Sequence, residues 1–341
     1  MSMDGEALDD TPRAARPILI FGAPRSGTSL LSRLLDSHSR IAIPFESHLF
    51  NQWLPRLAAY GDLSALDNRR RLVRDIVELG VVNDWDTHPT VDDIEALIDE
   101  PTFGGVSRAI LDWWAATQDK PRWGEKTPHH TLLHKDALTA WPEALVVIIE
   151  RDPRDVALSW KEARFGGDHV LPFANAWVRY LSACDEVRAT LPPNQWIELR
   201  YEDLVRSPKA ELERVMTFLG EAYEPAQLDF HQGGGADWHT DARNERKLRQ
   251  PISEQSIGRW RSGLSAREVK LVEAIAGPDM ARRGYDLSAD AAALSGAEMA
   301  MVNWIERPLG RVLGLLKNRR GLTYLVRDIR WKLRSLREKS V

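Results

Sequence analysis

Apolar positions along this chain fall into two rhythms. Short, nearly unbroken apolar runs stand at PILIFG (17–22), RIAIPFE (40–46), ALVVIIERD (144–152) and QWIELRYEDL (195–204), as strands covered on both faces of a parallel sheet should read. Between them the spacing turns helical in SGTSLLSRLLDSH (26–38), DPRDVALSWKEAR (152–164) and SPKAELERVMTFLG (207–220). The last is bracketed by Ser207 as N-cap, Pro208 at the first helical position and Gly220 as the stop. From 47 to 142 the pattern is mainly helical, with breaks at NDWDTHP (83–89) and WGEKTP (123–128). Alternating strands and helices predict an α/β domain over 17–290, a P-loop-like central parallel sheet flanked by helices, with a helical insertion at 47–142. Residues 1–16 read as a flexible lead-in, 231–250 as a polar loop over the site, and 291–341 as a basic amphipathic helical extension.

The first strand runs into GAPRSGTSL (22–30). Strand, Gly-rich turn, then helix aims backbone N–H groups and a helix N-terminus at an anion. Gly22 and Gly27 allow the tight turn and close backbone approach. Ser26, Thr28 and Ser29 add hydroxyls, and Arg25 adds a planar cationic fork suited to phosphate or sulfonate oxygens. The spacing G-x-x-x-x-G is that of a triphosphate loop, but Thr28 stands where a lysine is expected before Ser29. A magnesium-bound triphosphate also needs a carboxylate at a neighbouring strand end. Glu150 and Asp152 are the candidates there, with Arg151 between them, and this combination disfavours a metal-bound triphosphate.

Composition narrows the picture. A hydrophobic share of 43% and a charged share of 28% are those of an ordinary globular chain. One cysteine, Cys184, excludes a disulfide framework and a polythiolate metal site. No signal-like N-terminus and no apolar run of about 18 residues is present, so a cytoplasmic protein is expected. Charge is uneven: residues 300–341 hold 11 Lys/Arg against 3 Asp/Glu, net +8, and the rest of the chain is net −12. The tail's apolar positions, Ile305, Leu309, Val312, Leu313 and Leu316, then Leu322, Leu325, Ile329, Leu333 and Leu336, form two helical patterns studded with Arg and Lys. Two readings stand for it. It lies on an anionic membrane surface, or it packs back on the acidic body or pairs in a homodimer.

Five motifs in order resemble the sulfotransferases that use 3′-phosphoadenosine 5′-phosphosulfate (PAPS), closest to the bacterial branch that also resembles the tyrosylprotein sulfotransferases. The resemblance spans about residues 17–285. It implies that GAPRSGTSLL grips the 5′-phosphosulfate through residues 25–30 (Arg25, Ser26, Gly27, Thr28, Ser29 and Leu30), with Arg25 at the transferring group. It implies that Arg151 and Ser159 of RDPRDVALS hold the 3′-phosphate, and that Tyr201 of ELRYEDL packs near the nucleotide. It implies that Lys126 of WGEKTPHH, where the tyrosylprotein branch places a lysine, stands near the leaving phosphate. In RQPISEQSIGRW, Pro251 leads to Arg259 as a further nucleotide contact. Two departures stand: Asn244 replaces a serine of the tyrosylprotein branch, and the RKG loop of the cytosolic branch is absent. Read from the residues alone, Arg151 could instead pair with Asp155 at a solvated helix start, and Tyr201 could be core.

Sulfuryl transfer needs a general base for the acceptor hydroxyl or amine. Glu46 in IAIPFESHLF is where glutamate-dependent sulfotransferases place it, and His48, with its convenient imidazole, is the alternative. His129 and His130 are expected to cap or start a helix. The resemblance implies PAPS as donor, PAP as product, no metal requirement and no nucleic-acid partner. The acceptor is a small molecule or glycolipid, a cell-envelope sugar being one form. Trp53, Trp85, Trp113, Trp114 and Trp238 lie in the acceptor-side segments, and most are expected to be core. The rival functions are a P-loop kinase or NTPase and a non-catalytic PAP-binding scaffold.

Overall fold

Five short strands, β1 (Ile18–Phe21), β2 (Ile41–Ala42), β3 (Arg122–Glu125), β4 (Leu145–Glu150) and β5 (Trp196–Arg200), form an all-parallel sheet in the order β2-β3-β1-β4-β5. The computed structural model describes residues 12–163, 169–232, 248–288, 294–306 and 326–334. The chain leaves β1 toward one edge, returns through β3, and then builds β4 and β5 on the other side. The crevice at the carboxyl ends of β1 and β4 is therefore a topological switch point, where open α/β sheets bind ligands.

The apolar runs explain the sheet. Leu19, Phe21, Val146 and Ile148 pack in one core with the helices Leu49–Trp53, Leu66–Leu79, Phe103–Thr117 and Leu171–Thr190. The alternate residues Ile18, Ile20, Leu145, Val147 and Ile149 pack in a second core with the helices Thr28–Asp36 and Pro208–Leu219. β1 and β4 thus bury both faces, which is why β4 reads as continuous hydrophobicity, whereas the edge strand β5 is mostly half-buried. The helix Pro153–Lys161 begins on Asp152, whose side chain accepts from Arg154 N–H as an N-cap.

Several sequence expectations shift. The segment 47–142 is helical apart from β3, which the sequence presents as a break. RWGE carries buried Arg122 and Glu125 instead of an apolar run, so periodicity cannot reveal it. The run 195–204 ends as a strand at Arg200, and Tyr201 opens the helix Tyr201–Arg206. β2 is limited to two residues. Ser207 precedes the helix Pro208–Leu219 without a side-chain cap, whereas Gly220 closes it at φ 77°. Part of the lead-in is docked: Arg13 donates to the carbonyls of Phe218 and Asn194, each at 3.2 Å. Residues 233–247, with Trp238 and Asn244, lie outside the described residues, as do Leu309, Val312, Leu313, Leu316, Leu322, Leu325 and Leu336 of the tail.

Candidate active site

The turn after β1 is strained where it meets the crevice. Gly27 sits at φ 96° and Arg25 at φ 73°, a region that L residues enter at a cost of about 1–3 kcal/mol and that clusters at functional sites. A Cβ on Gly27 would lie 2.4 Å from the Tyr201 ring, so the loop and the start of the post-β5 helix touch at the backbone. No side chain caps the helix Thr28–Asp36, which leaves its first amides available to an anion.

This loop lines a cleft of about 350 Å³. Arg25, Gly27, Thr28, Ser29, Leu30, Arg151, Ser159, Tyr201 and Arg259 all border it, together with Phe230 and residues of 250–256. Ser26 lies beneath, fully buried, its hydroxyl without a hydrogen-bond partner among the described residues. Five chain segments separated in sequence therefore meet on one cavity.

The cations of the cleft hold one another's supports. Arg25 Nε donates to Ser159 Oγ at 3.0 Å. Arg151 Nη1 donates to the Arg25 carbonyl at 3.1 Å and Nη2 donates to the Ser256 carbonyl. Its guanidinium lies 4.3 Å over the Tyr201 ring, and its buried Nε lacks a hydrogen-bond partner among the described residues. Asp155 does not serve Arg151 as an ion-pair partner among the described residues. It accepts from Gly258 N–H (2.7 Å) and Trp260 N–H (2.9 Å), fixing the far wall of the cleft. Arg259 reaches the rim paired to Glu162 at 2.8 Å. Neither strand-end carboxylate is directed at the loop: Glu150 is paired with Arg188 and Arg283, and Asp152 with Arg154.

A second cluster adjoins the cleft at Ser29. Lys126 follows β3 and is fully buried, with Nζ 2.7 Å from Glu46 Oε1 and 3.3 Å from Ser29 Oγ. Glu46 Oε2 is 3.2 Å from His48 Nε2. His48 sits at φ 54°, its backbone N–H donating to Thr127 Oγ1 at 3.3 Å. Its Nδ1 is 3.1 Å from Asn51 Nδ2; with that amide as donor, the imidazole proton is on Nε2 and points at Glu46. Burial pushes the Glu46 carboxyl up, but the Lys126 ammonium and His48 outweigh it and hold it well below the usual carboxylate range.

Glu46, Lys126 and His48 thus converge, as do Arg25, Arg151, Ser159, Tyr201 and Arg259 around the cleft. His129 and His130 lie in the first turn of the 3-10 helix Pro128–Leu133, which they start but do not cap, the N-cap being Thr127. His130 is 3.1 Å from Glu125 Oε1, and its Nε2 accepts from Phe50 N–H at 3.2 Å. This buried pair anchors the strand that delivers Lys126. Sequence reasoning missed Glu125 in that role; a carboxylate followed five residues on by His130 within a segment without surface periodicity is the only trace of it. It also missed Tyr180, which stands with His129 beside the cluster, the two rings 6.5 Å apart and His129 6.2 Å from His48. Trp53, Trp85 and Trp114 are core, and Trp113 packs against it.

The profile of the sulfotransferase family matches residues 17–225. A putative protein-tyrosine sulfotransferase of Caenorhabditis briggsae is 22% identical over 280 residues, 80% of this chain and 89% of the relative. An uncharacterized protein of Aquifex aeolicus is 24% identical over 260 residues, 72% of this chain, and the match spans only 30% of that longer relative. The sulfotransferase domain from the curacin biosynthetic pathway superposes with a TM-score of 0.54 at 19% identity, covering 80% of this chain and 98% of that domain.

Proposed function

The chain belongs to the sulfotransferase family, and from that premise we propose that it transfers a sulfuryl group from PAPS to a hydroxyl or amine of an acceptor. One observation carries the reading. Ser29 both lines the cleft and lies 3.3 Å from Lys126, which is itself paired with Glu46, so an anion-holding loop and an acid–base pair share one border.

The cleft residues fit the donor. The orphaned Arg151 Nε and Ser26 hydroxyl are buried polar atoms that an anion can satisfy. Arg151, Ser159 and Arg259 would hold a 3′-phosphate, while Arg25 and the amides of 26–30 would hold the 5′-phosphosulfate. Bound there, PAPS supplies an activated sulfuryl group on a phosphate leaving group. Arg25 exchanges its bond to Ser159 for sulfonate oxygens, and Lys126 places a cation where charge gathers on the departing oxygen.

Glu46 takes the acceptor proton. Two features favour it over His48. With the Asn51 amide donating to Nδ1, the Nε2 proton of His48 faces Glu46, so the imidazole orients the carboxylate. The Lys126 pair keeps Glu46 ionised, and its grip must loosen for the carboxylate to gain basicity, which charge transfer toward the leaving oxygen provides. The acceptor approaches from the side of exposed His129, where a sugar or glycolipid hydroxyl could meet an imidazole face. The direct test incubates the protein with PAPS and a panel of sugar, phenol, lipid and peptide acceptors and reads the mass shift of one sulfuryl group. Sulfation of at least one class is expected. ATP consumption that needs magnesium, with no sulfated product, would place the chain with the kinases instead.

A further inference from the structure

Amphipathic helices pack their apolar face inward as a rule. The helical segment 326–334 does the reverse. Its polar and aromatic face meets the body: Trp331 Nε1 donates to Tyr60 OH at 3.0 Å, and Arg334 spans Asp75 and Glu78, each at 2.7 Å. Arg327 bonds Asp84 at 2.5 Å, and Arg56 pairs with Asp328 while its guanidinium stacks on both Trp331 and Trp53. The acidic body thus captures the segment through its charges. Val326, Ile329 and Leu333, at i, i+3 and i+7, are left on the outer face with exposures of 45%, 46% and 54%.

Of the nine large apolar side chains exposed among the described residues, six lie in 294–306 and 326–334. Nothing in the described chain covers the outer stripe. It is flanked on one side by exposed Arg330 and on the other by Lys332, which reaches back to Asp328 at 3.5 Å. An apolar stripe bordered by cations is the chemistry of a helix lying in an anionic lipid surface, apolar side chains among the acyl boundary and cations at the headgroups. A second copy fits less well. A two-fold contact through this stripe would set Arg330 and Lys332 against their own copies, like charge on like.

We propose that the outer face of 326–334, Val326, Ile329 and Leu333 framed by Arg330 and Lys332, docks the protein on an anionic bilayer. The segment rests on Tyr60, Trp53 and Arg56, one short helix along the chain from His48, so docking orients the acceptor side of the site relative to the lipid. No helix among the described residues is long and apolar enough to cross a membrane, and contact of this kind needs none.

The test is co-sedimentation of the full chain with vesicles of phosphatidylcholine alone and with about one-third phosphatidylglycerol. The wild type should pellet with the anionic vesicles and stay in solution with the neutral ones. Ile329→Asp with Leu333→Asp should lower partitioning by roughly tenfold or more. Arg330→Glu with Lys332→Glu should lower it too, and more at low salt. These side chains face outward, so both doubles should melt with the wild type. No pelleting of the wild type, equal pelleting of the doubles, or a wild-type dimer in light scattering that the first double dissolves would each overturn the proposal. Sedimentation reads lipid contact without turnover, so its outcome stands apart from the proposed chemistry.

Discussion

The two halves of the site handle charge in opposite ways. In the cleft, two of the cations bond neutral groups, Arg25 the Ser159 hydroxyl and Arg151 two carbonyls and the Tyr201 ring, while Arg259 at the rim pairs with Glu162. A phosphate or sulfonate offers the first two cations an opposite charge and a bidentate geometry that these neutral acceptors lack. Beside it, Lys126 is buried against a carboxylate that is itself held by an imidazole. There the charges already satisfy each other, and removing one leaves its partner stranded. A binding surface is built to exchange partners, and a reactive pair to keep them until the transition state.

The largest effect that could break this comparison is on turnover. Glu46→Gln should lower kcat by about 10²–10⁴-fold, the scale of a lost general base, while PAP affinity stays that of the wild type. Glu46→Ala is the poorer probe, because it strands the Lys126 ammonium in the interior at a cost of about 3–5 kcal/mol. If His48→Ala abolishes turnover and Glu46→Gln does not, the base has been assigned to the wrong residue. Next in size, Arg151→Ala should weaken PAP binding by roughly 10–100-fold, the worth of charged hydrogen bonds, with Lys126 and Glu46 undisturbed. Calorimetry showing unchanged affinity would remove Arg151 from the cleft's function.

Smaller effects sharpen the comparison through stability. Gly27→Ala drives a Cβ to 2.4 Å from the Tyr201 ring at φ 96°, and should cost about 1–3 kcal/mol as overpacking; thermal melting reads it, and a neutral result would mean the loop has room the structure does not show. The smallest effect is on pH. The folded-state pKa of Glu46 lies below its unfolded value, so its stabilisation is complete above about pH 4.3 and is lost as pH falls further. The melting temperature of Glu46→Gln should trail the wild type near neutrality, and the gap should close in acid. A gap that widens in acid would show that Glu46 is not held as an anion.

How much of this was readable in sequence follows from the same physics. β1, β4 and the turn 22–30 are specified locally, by apolar runs and by glycines whose freedom the turn requires, so fold class and the loop could be read off. β3 could not, because its burial is earned by pairs from distant segments: Arg122 with the Leu219 carbonyl, Glu125 with His130. The convergence of Glu46 with Lys126, 80 residues apart, was legible only through family likeness, since no local rule links a strand end to a loop across a helical insertion. The tail's pattern was plain as an amphipathic helix, but not which face turns inward. That choice depends on Asp75, Glu78 and Asp84, acidic groups whose clustering exists only in the folded body.

The central claim is that the cleft is a nucleotide phosphosulfate site that works through the protein's own cations. Titrating PAP into the protein in a metal-chelating buffer tests it most directly. Saturable one-to-one binding is expected, weakened by Arg151→Ala and left intact by Glu46→Gln. Absence of PAP binding, alongside binding of ATP restored by magnesium, would contradict it.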